Sequence, residues 1–321
     1  MNAQEKIKEL RAIINKELLP LIDHDYVYLD LPYHPNIGDT LIWEGTCLFL
    51  KQTKYKCLYS TDIVRYIPKK WDIKTLIFLH GGGNWGDLYR EHEEFRKKII
   101  QSYPNNKIII FPQTVFYENT VTLNEDMAFY SHYPNVIICA RDRTSYDFLK
   151  KYLSNNTILL VPDMAFFIDA QKYSKGEKKG RTLYLERTDK ELVKDGSLNC
   201  IPQNAEKHDW PTYEIVPLKY KLIDIAFGIP KRVIQQFDLQ IAYKITDFKR
   251  KHFYRMWYVK SGIHFLDKYE KIYTTRLHVM ILGILLNKKI YVVNNTSGKI
   301  FNFYNTWLND LKYLETIEPT R

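Results

Sequence analysis

The chain has 321 residues, 45% of them hydrophobic and 15% aromatic, enough to bury substantial cores and fill roughly two domains. A formal net charge of +10 favours anionic partners such as phosphorylated substrates or anionic lipid, and the lack of an RNA- or DNA-binding motif argues against nucleic acid. No apolar run approaches the roughly 20 uncharged residues of a membrane span, Met1 to Lys6 lack a signal peptide's apolar core, and Cys47, Cys57, Cys139 and Cys200 have neither CxxC nor zinc spacing, which together predict a cytosolic protein with reduced thiols and no structural metal.

In chain order, residues 3–19 read as an amphipathic helix, 25–31 as a strand, 40–52 as a helix and 75–80 as a buried strand. A helix over 91–102 follows, then strands at 107–111 and 136–139, a helix over 143–153 and a strand at 157–161. This β-α-β-α rhythm is that of a parallel, helix-covered sheet. Residues 171–180 are charged and without apolar period, and serve either as an interdomain linker or as a solvated loop. Beyond them come a strand at 182–186, a polar, Pro-rich region over 196–217 without periodicity, and helical segments between 231 and 260. Strand 272–274, helix 277–286, strand 289–293 and a helix over 299–313 complete a second α/β half. The reading is therefore α/β with two Rossmann-like domains, 1–172 and 181–321, facing each other across a central cleft at their strand ends, the last helix packing back toward the first domain.

The chemistry-bearing residues fall at those strand ends. Thr275-Arg276-Leu277-His278 places an anion-binding cation beside a titratable imidazole at a strand-to-helix junction, where unpaired N–H groups and a positive dipole end also favour an anion. After the first strand, Asn36-Ile37-Gly38-Asp39-Thr40 offers Asp39 either as a helix cap or as a base facing a substrate hydroxyl. His80-Gly81-Gly82-Gly83-Asn84-Trp85-Gly86 formally satisfies GxGxxG, yet the next strand ends in Pro112-Gln113 with no acidic residue for a ribose, which argues against NAD. Gly81, Gly82, Gly83 and Asn84 are instead read as a turn for an anion or substrate, the alternative being a turn required by packing. Arg141 can grip a carboxylate or phosphate bidentately, with Asp142 either orienting it or capping the next helix, whereas Asp163 reads as structural.

Taken in order, Asn36-Ile37-Gly38-Asp39, Gly81-Gly82-Gly83, Pro112-Gln113-Thr114, Arg141-Asp142 with Ser145, Pro162-Asp163-Met164-Ala165, Arg276-Leu277-His278 and Asn295-Thr296-Ser297-Gly298-Lys299 resemble the landmarks of the polysaccharide pyruvyl transferase family. The likeness spans about residues 30 to 305 and lacks a landmark between 187 and 262. It implies a GT-B-like architecture with the active site between the domains, an acceptor-side amino-terminal half and a donor-side carboxyl-terminal half. It also implies transfer of pyruvate from phosphoenolpyruvate to a sugar of an exopolysaccharide or capsule precursor as a ketal, with no cofactor.

Phosphoenolpyruvate has a carboxylate and a phosphate at opposite ends, so its site needs at least two cationic clamps and a proton source. Arg141 and Arg276 are the expected clamps, His278 the acid, Lys299 an additional charge in the donor pocket and Asp39 the acceptor's base. Structural alternatives stand beside four of these: Arg141 in an Arg-Asp ion pair at the sheet edge, Asp39 as a helix cap, His278 as a capping imidazole and Lys299 as a solvated lysine. Basic and aromatic residues interleave between 231 and 260, which suits contact with an anionic membrane at the inner face of the cytoplasmic membrane, where a lipid-linked oligosaccharide acceptor would lie. Two other classes fit less of the pattern: a GT-B glycosyltransferase using a nucleotide sugar, and a non-catalytic glycan-binding protein.

Overall fold

Short runs of Ile, Leu, Val and Phe without polar alternation make strands that helices cover on both faces. In a computed structural model describing residues 1–176, 180–185, 201–211, 217–293 and 298–317, such runs assemble two all-parallel sheets. The first half comprises α1 (Ala3–Leu18), β1 (Tyr26–Leu29), α2 (Ile37–Leu50), β2 (Cys57–Ser60), β3 (Leu76–Leu79) and β4 (Gly82–Gly86). It continues through α3 (Arg90–Ser102), β5 (Ile108–Phe116), α4 (Thr120–Ser131), β6 (Val136–Ala140), α5 (Arg143–Tyr152) and β7 (Thr157–Leu160). Its strand order is β2-β1-β3-β5-β6-β7, with β4 alongside the far end of β5.

The second half contains β8 (Thr182–Leu185), β9 (Glu206–His208), α6 (Leu218–Ile234), α7 (Leu239–Lys249) and α8 (Arg255–Asp267). After these come β10 (Lys271–Thr274), α9 (Leu277–Leu285), β11 (Lys289–Val293), α10 (Lys299–Trp307) and β12 (Leu314–Ile317), in the strand order β12-β11-β10-β8-β9. A π-helical turn, Arg250–Tyr254, joins α7 to α8. One apolar cluster links both halves: Ile7 and Leu10 of α1 and Ile37 and Leu41 of α2 are buried with Val259, Ile263, Met280 and Leu282 of α8 and α9.

The mixed, parallel α/β character is as the sequence predicts, and most strands fall within a residue or two of their expected limits. The differences have physical causes. Asn36 caps α2 by accepting from the Asp39 backbone N–H, so that helix starts three residues earlier than its apolar pattern and Asp39 is in its first turn, not at its cap. The glycine triplet is not a turn opening a helix: Gly82–Gly86 extends as a strand on β5, and α3 begins only at Arg90. Strands β2, β4, β9 and β12, helix α4 and residues 218–230 of α6 were not foreseen. Tyr254, Trp257 and Tyr258, read as candidates for membrane contact, are buried in the core. Glu186, Cys200, Asn295, Thr296, Ser297, part of the 171–180 segment and part of the Pro-rich region lie outside the described residues.

Candidate active site

A cavity of about 480 Å³ opens where the carboxyl ends of strands from both sheets converge. It is lined from the β1 side by Asp30, Pro32, His34, Asn36, Gly38 and Asp39, and from the β3–β4 junction by His80, Gly81, Gly83 and Asn84. Arg141, Arg276, His278 and Lys299 close it, so every cation and imidazole singled out from the sequence reaches one space. Gly82 is outside that lining, with a backbone φ of +133° that disfavours any side chain.

Each side chain is held by its strand end. Arg141 follows β6; its Nε donates to Thr114 Oγ1 at 2.7 Å and its Nη1 pairs with Asp163 Oδ2 at 3.0 Å. Neither bond uses Nη2, which lies against Gly83, where an added Cβ would sit 3.1 Å away. Asp142 both caps α5, accepting from the Ser145 N–H at 2.8 Å, and accepts from Thr114 Oγ1 at 2.8 Å, thereby orienting Arg141 through that hydroxyl. Arg276 follows β10, its N–H donating to Thr274 Oγ1 and its Nη2 to Asp209 Oδ2 at 2.6 Å. Lys299 opens α10 after Gly298, and its Nζ reaches the Gly83 carbonyl at 3.4 Å, tying the two halves together across the cavity.

His278, in the first turn of α9, presents Nε2 to Asp163 Oδ2 at 3.3 Å, while Nδ1 would be 2.6 Å from a Cβ placed on Gly38. Glycine at 38 is therefore what lets the first turns of α2 and α9 meet. Asp163, read from sequence as structural, is instead the buried carboxylate between Arg141 and His278. Burial alone would raise its pKa, but the charges of His278 and Arg141 outweigh it and hold it at about 2.

Further groups were missed. His34 Nε2 meets Asp39 Oδ2 at 2.8 Å; despite burial, that hydrogen bond and the charges of His34, His278 and His80 keep Asp39 well below the usual carboxylate range. Asp39 is thus held as an anion and is by itself a poor proton acceptor near neutrality. His80 is buried with Nδ1 2.5 Å from the Tyr28 hydroxyl, and burial lowers its pKa to about 4. His92 Nδ1 pairs with buried Asp30 at 2.6 Å; burial opposes its charge, but the Asp30 partnership prevails and raises its pKa. Asn84 is fixed by buried Arg96, which donates to its side-chain oxygen at 2.9 Å and its carbonyl at 2.8 Å. The signal for His34 and His80 was their place at the ends of β1 and β3, beside residues already singled out.

Comparison with known proteins shows similarity across most of the chain. A family model described as polysaccharide pyruvyl transferase matches residues 36–297, covering every lining residue from Asn36 to His278. The chain is 31% identical to the putative pyruvyl transferase EpsO of Bacillus subtilis, over 99% of this chain and 94% of that one. It is 30% identical to pyruvyl transferase 1 of Schizosaccharomyces pombe, over 88% of this chain and 69% of that one. Among solved structures, the Klebsiella pneumoniae protein KP1_0663 shares the fold with a TM-score of 0.67 at 20% identity, over 96% of this chain and 98% of that one. With the family pattern running across most of its length, this chain belongs to the polysaccharide pyruvyl transferase family.

Proposed function

We propose that the protein moves pyruvate from phosphoenolpyruvate to a sugar of a cell-surface polysaccharide precursor and closes a ketal across two of its hydroxyls. The observation that carries this reading is the gathering of Arg141, Arg276, Lys299 and His278 around one cavity, with Asp163 between Arg141 and His278. Three cations suit a small donor with a carboxylate at one end and a phosphate at the other. In this reading residues 1–172 form the acceptor side and 181–321 the donor side of two Rossmann-like lobes arranged as in GT-B enzymes.

The steps follow from the donor's chemistry. Arg141, Arg276 and Lys299 hold the anionic ends, and His278, its ring oriented by Asp163, protonates the methylene carbon so that the adjacent carbon becomes electrophilic. An acceptor hydroxyl adds there and gives its proton to His34, whose Nε2 bond to Asp39 leaves Nδ1 as the basic nitrogen. Asp39 thus acts as the acceptor-side base through its histidine. The bond from carbon to phosphate oxygen then breaks, and the phosphate leaves with the proton held at His34. The second hydroxyl adds to the same carbon, and its proton restores the acid form of His278. One proton enters the methyl group, two leave the hydroxyls, and the balance closes with inorganic phosphate as the other product.

The test replaces His278 and Arg276 with alanine in separate variants and follows phosphate release from phosphoenolpyruvate in the presence of acceptor. Each variant is expected to lose about a hundredfold or more in turnover with its fold intact by circular dichroism. Near-normal turnover in both overturns the reading.

A further inference from the structure

Helix α6 presents apolar side chains on two opposite faces, which an ordinary surface helix does not. Its inner face is anchored: Tyr220 stacks on Trp257 with ring centroids 4.3 Å apart, Phe227 packs on Phe253 and Ile223 on the core. Its outer face carries Leu218, Leu222, Ile225, Ile229 and Val233 at helical spacing, all between 55% (Val233) and 71% (Leu218) exposed. Phe237, in the turn that follows, is 85% exposed, and α7 adds Leu239 and Phe248, each about half exposed.

The charged residues at the margins of the α6 stripe are basic, while Asp238, next to Phe237, caps α7. Exposed Lys219, Lys221 and Arg232 fall at its margins by the same helical period. The acidic residue on the helix, Asp224, is paired with Lys249 at 2.7 Å. Lys231 lies close enough to Arg232, Lys249, Arg250 and Arg65 that, beyond the effect of burial, their like charges lower its pKa. An apolar stripe one helix wide with lysine and arginine at its edges is the pattern of a helix lying in a membrane interface, its cations reaching out to anionic headgroups. A second copy of the chain is disfavoured as the occupant, because two such basic margins would meet. Among the described residues no helix is long and apolar enough to cross a membrane, so the geometry is one of lying on the surface.

The same helix pair is fastened to the cavity wall. Asp247 of α7 accepts from the Tyr33 hydroxyl at 2.9 Å and from Thr61 at 3.1 Å, and Tyr33 sits between Pro32 and His34, both of which line the cavity. We propose that the outer face of α6, with Phe237, docks on an anionic membrane surface and holds the cavity near a lipid-linked sugar acceptor. What the membrane would present to the cavity rests on the pyruvyl-transfer reading; the docking itself does not.

The test is flotation of the full chain with phosphatidylcholine vesicles, with and without phosphatidylglycerol, beside the triple variant Leu222→Glu, Ile225→Glu, Ile229→Glu. All three positions are exposed, so the variant is expected to fold, as circular dichroism would verify. The wild type is expected to float with the anionic vesicles and not with the neutral ones, and the variant to partition about a hundredfold less or weaker still. Phosphate release with a water-soluble acceptor is expected to be unchanged in the variant. Absence of flotation, equal flotation of the variant, or a dimer that the variant dissociates while flotation persists each overturns the docking. Loss of phosphate release in the wild type while flotation holds would sink the pyruvyl-transfer reading alone.

Discussion

Two imidazoles, His80 just after β3 and His92 in the first turn of α3, are in opposite electrostatic situations, and the difference is measurable. His92 has the carboxylate of Asp30 at 2.6 Å, whereas His80 is buried against a neutral hydroxyl, and burial lowers its pKa from 6.5 to about 4. Between those two values the unfolded chain takes up a proton that folded His80 refuses, so stability rises with pH across that window and falls as the pH drops. Replacing His80 with glutamine removes the titration. By pH 5 the wild type is expected to have lost roughly 2 kcal/mol more stability, relative to pH 7, than His80→Gln, read from urea unfolding at both values; parallel losses would show that His80 is not the source. At this scale the strand-end placement of Arg141, Arg276 and His278 was legible in the sequence, and all three line one cavity. It did not reveal that Asp163 lies between Arg141, from the preceding strand end, and His278, from the other half of the chain, because both partners are distant in sequence.

At the scale of elements, the site depends on how closely helix starts approach one another. The first turns of α2 and α9 abut at Gly38 and His278, and a methyl at 38 would lie 2.6 Å from Nδ1 and 3.0 Å from Cγ of the ring, closer than side chains pack. The ring must yield, moving the imidazole that the proposed mechanism uses as its acid while leaving the core behind it in place. Gly38→Ala is expected to lower turnover by about a hundredfold, as a displacement of about 1 Å can, and to cost about 1–3 kcal/mol in unfolding free energy from overpacking. Turnover near that of the wild type would mean the imidazole's place is not critical. Buried apolar strands and most helices of the first half were legible because their pattern is their cause, whereas α4 and residues 218–230 of α6 were not placed. Among the strands, those that escaped were short edge strands such as β2 and β12, half-exposed and therefore weakly patterned, and β4, whose glycines oppose β propensity and which exists because β5 runs nine residues and offers it a ladder. The start of α2 was missed for a different reason: its cap, Asn36, precedes the apolar period, and that error concealed Asp39's pairing with His34.

For the molecule as a whole, the central consequence is that one cavity draws cations from both sheets: Arg141 follows β6 of the first, while Arg276 follows β10 and Lys299 follows β11 of the second. Each arginine already faces a carboxylate, Asp163 for Arg141 and Asp209 for Arg276, so the arginines are positioned before any ligand arrives and little ordering is needed on binding. A dianionic donor seated among them would bind the folded protein and not the unfolded chain. At about a hundredfold excess over its Kd such a ligand stabilises by about 2.7 kcal/mol. Thermal unfolding with phosphoenolpyruvate is accordingly expected to shift upward by several degrees, and UDP- and GDP-sugars to leave the midpoint where it was. Because the clamps come from different sheets, removing either should abolish the shift: Arg141→Ala and Arg276→Ala are each expected to unfold at a midpoint that phosphoenolpyruvate no longer moves. A shift that survives in one variant would assign the donor to one half only, and a shift produced by a nucleotide sugar in place of phosphoenolpyruvate would point to glycosyl transfer.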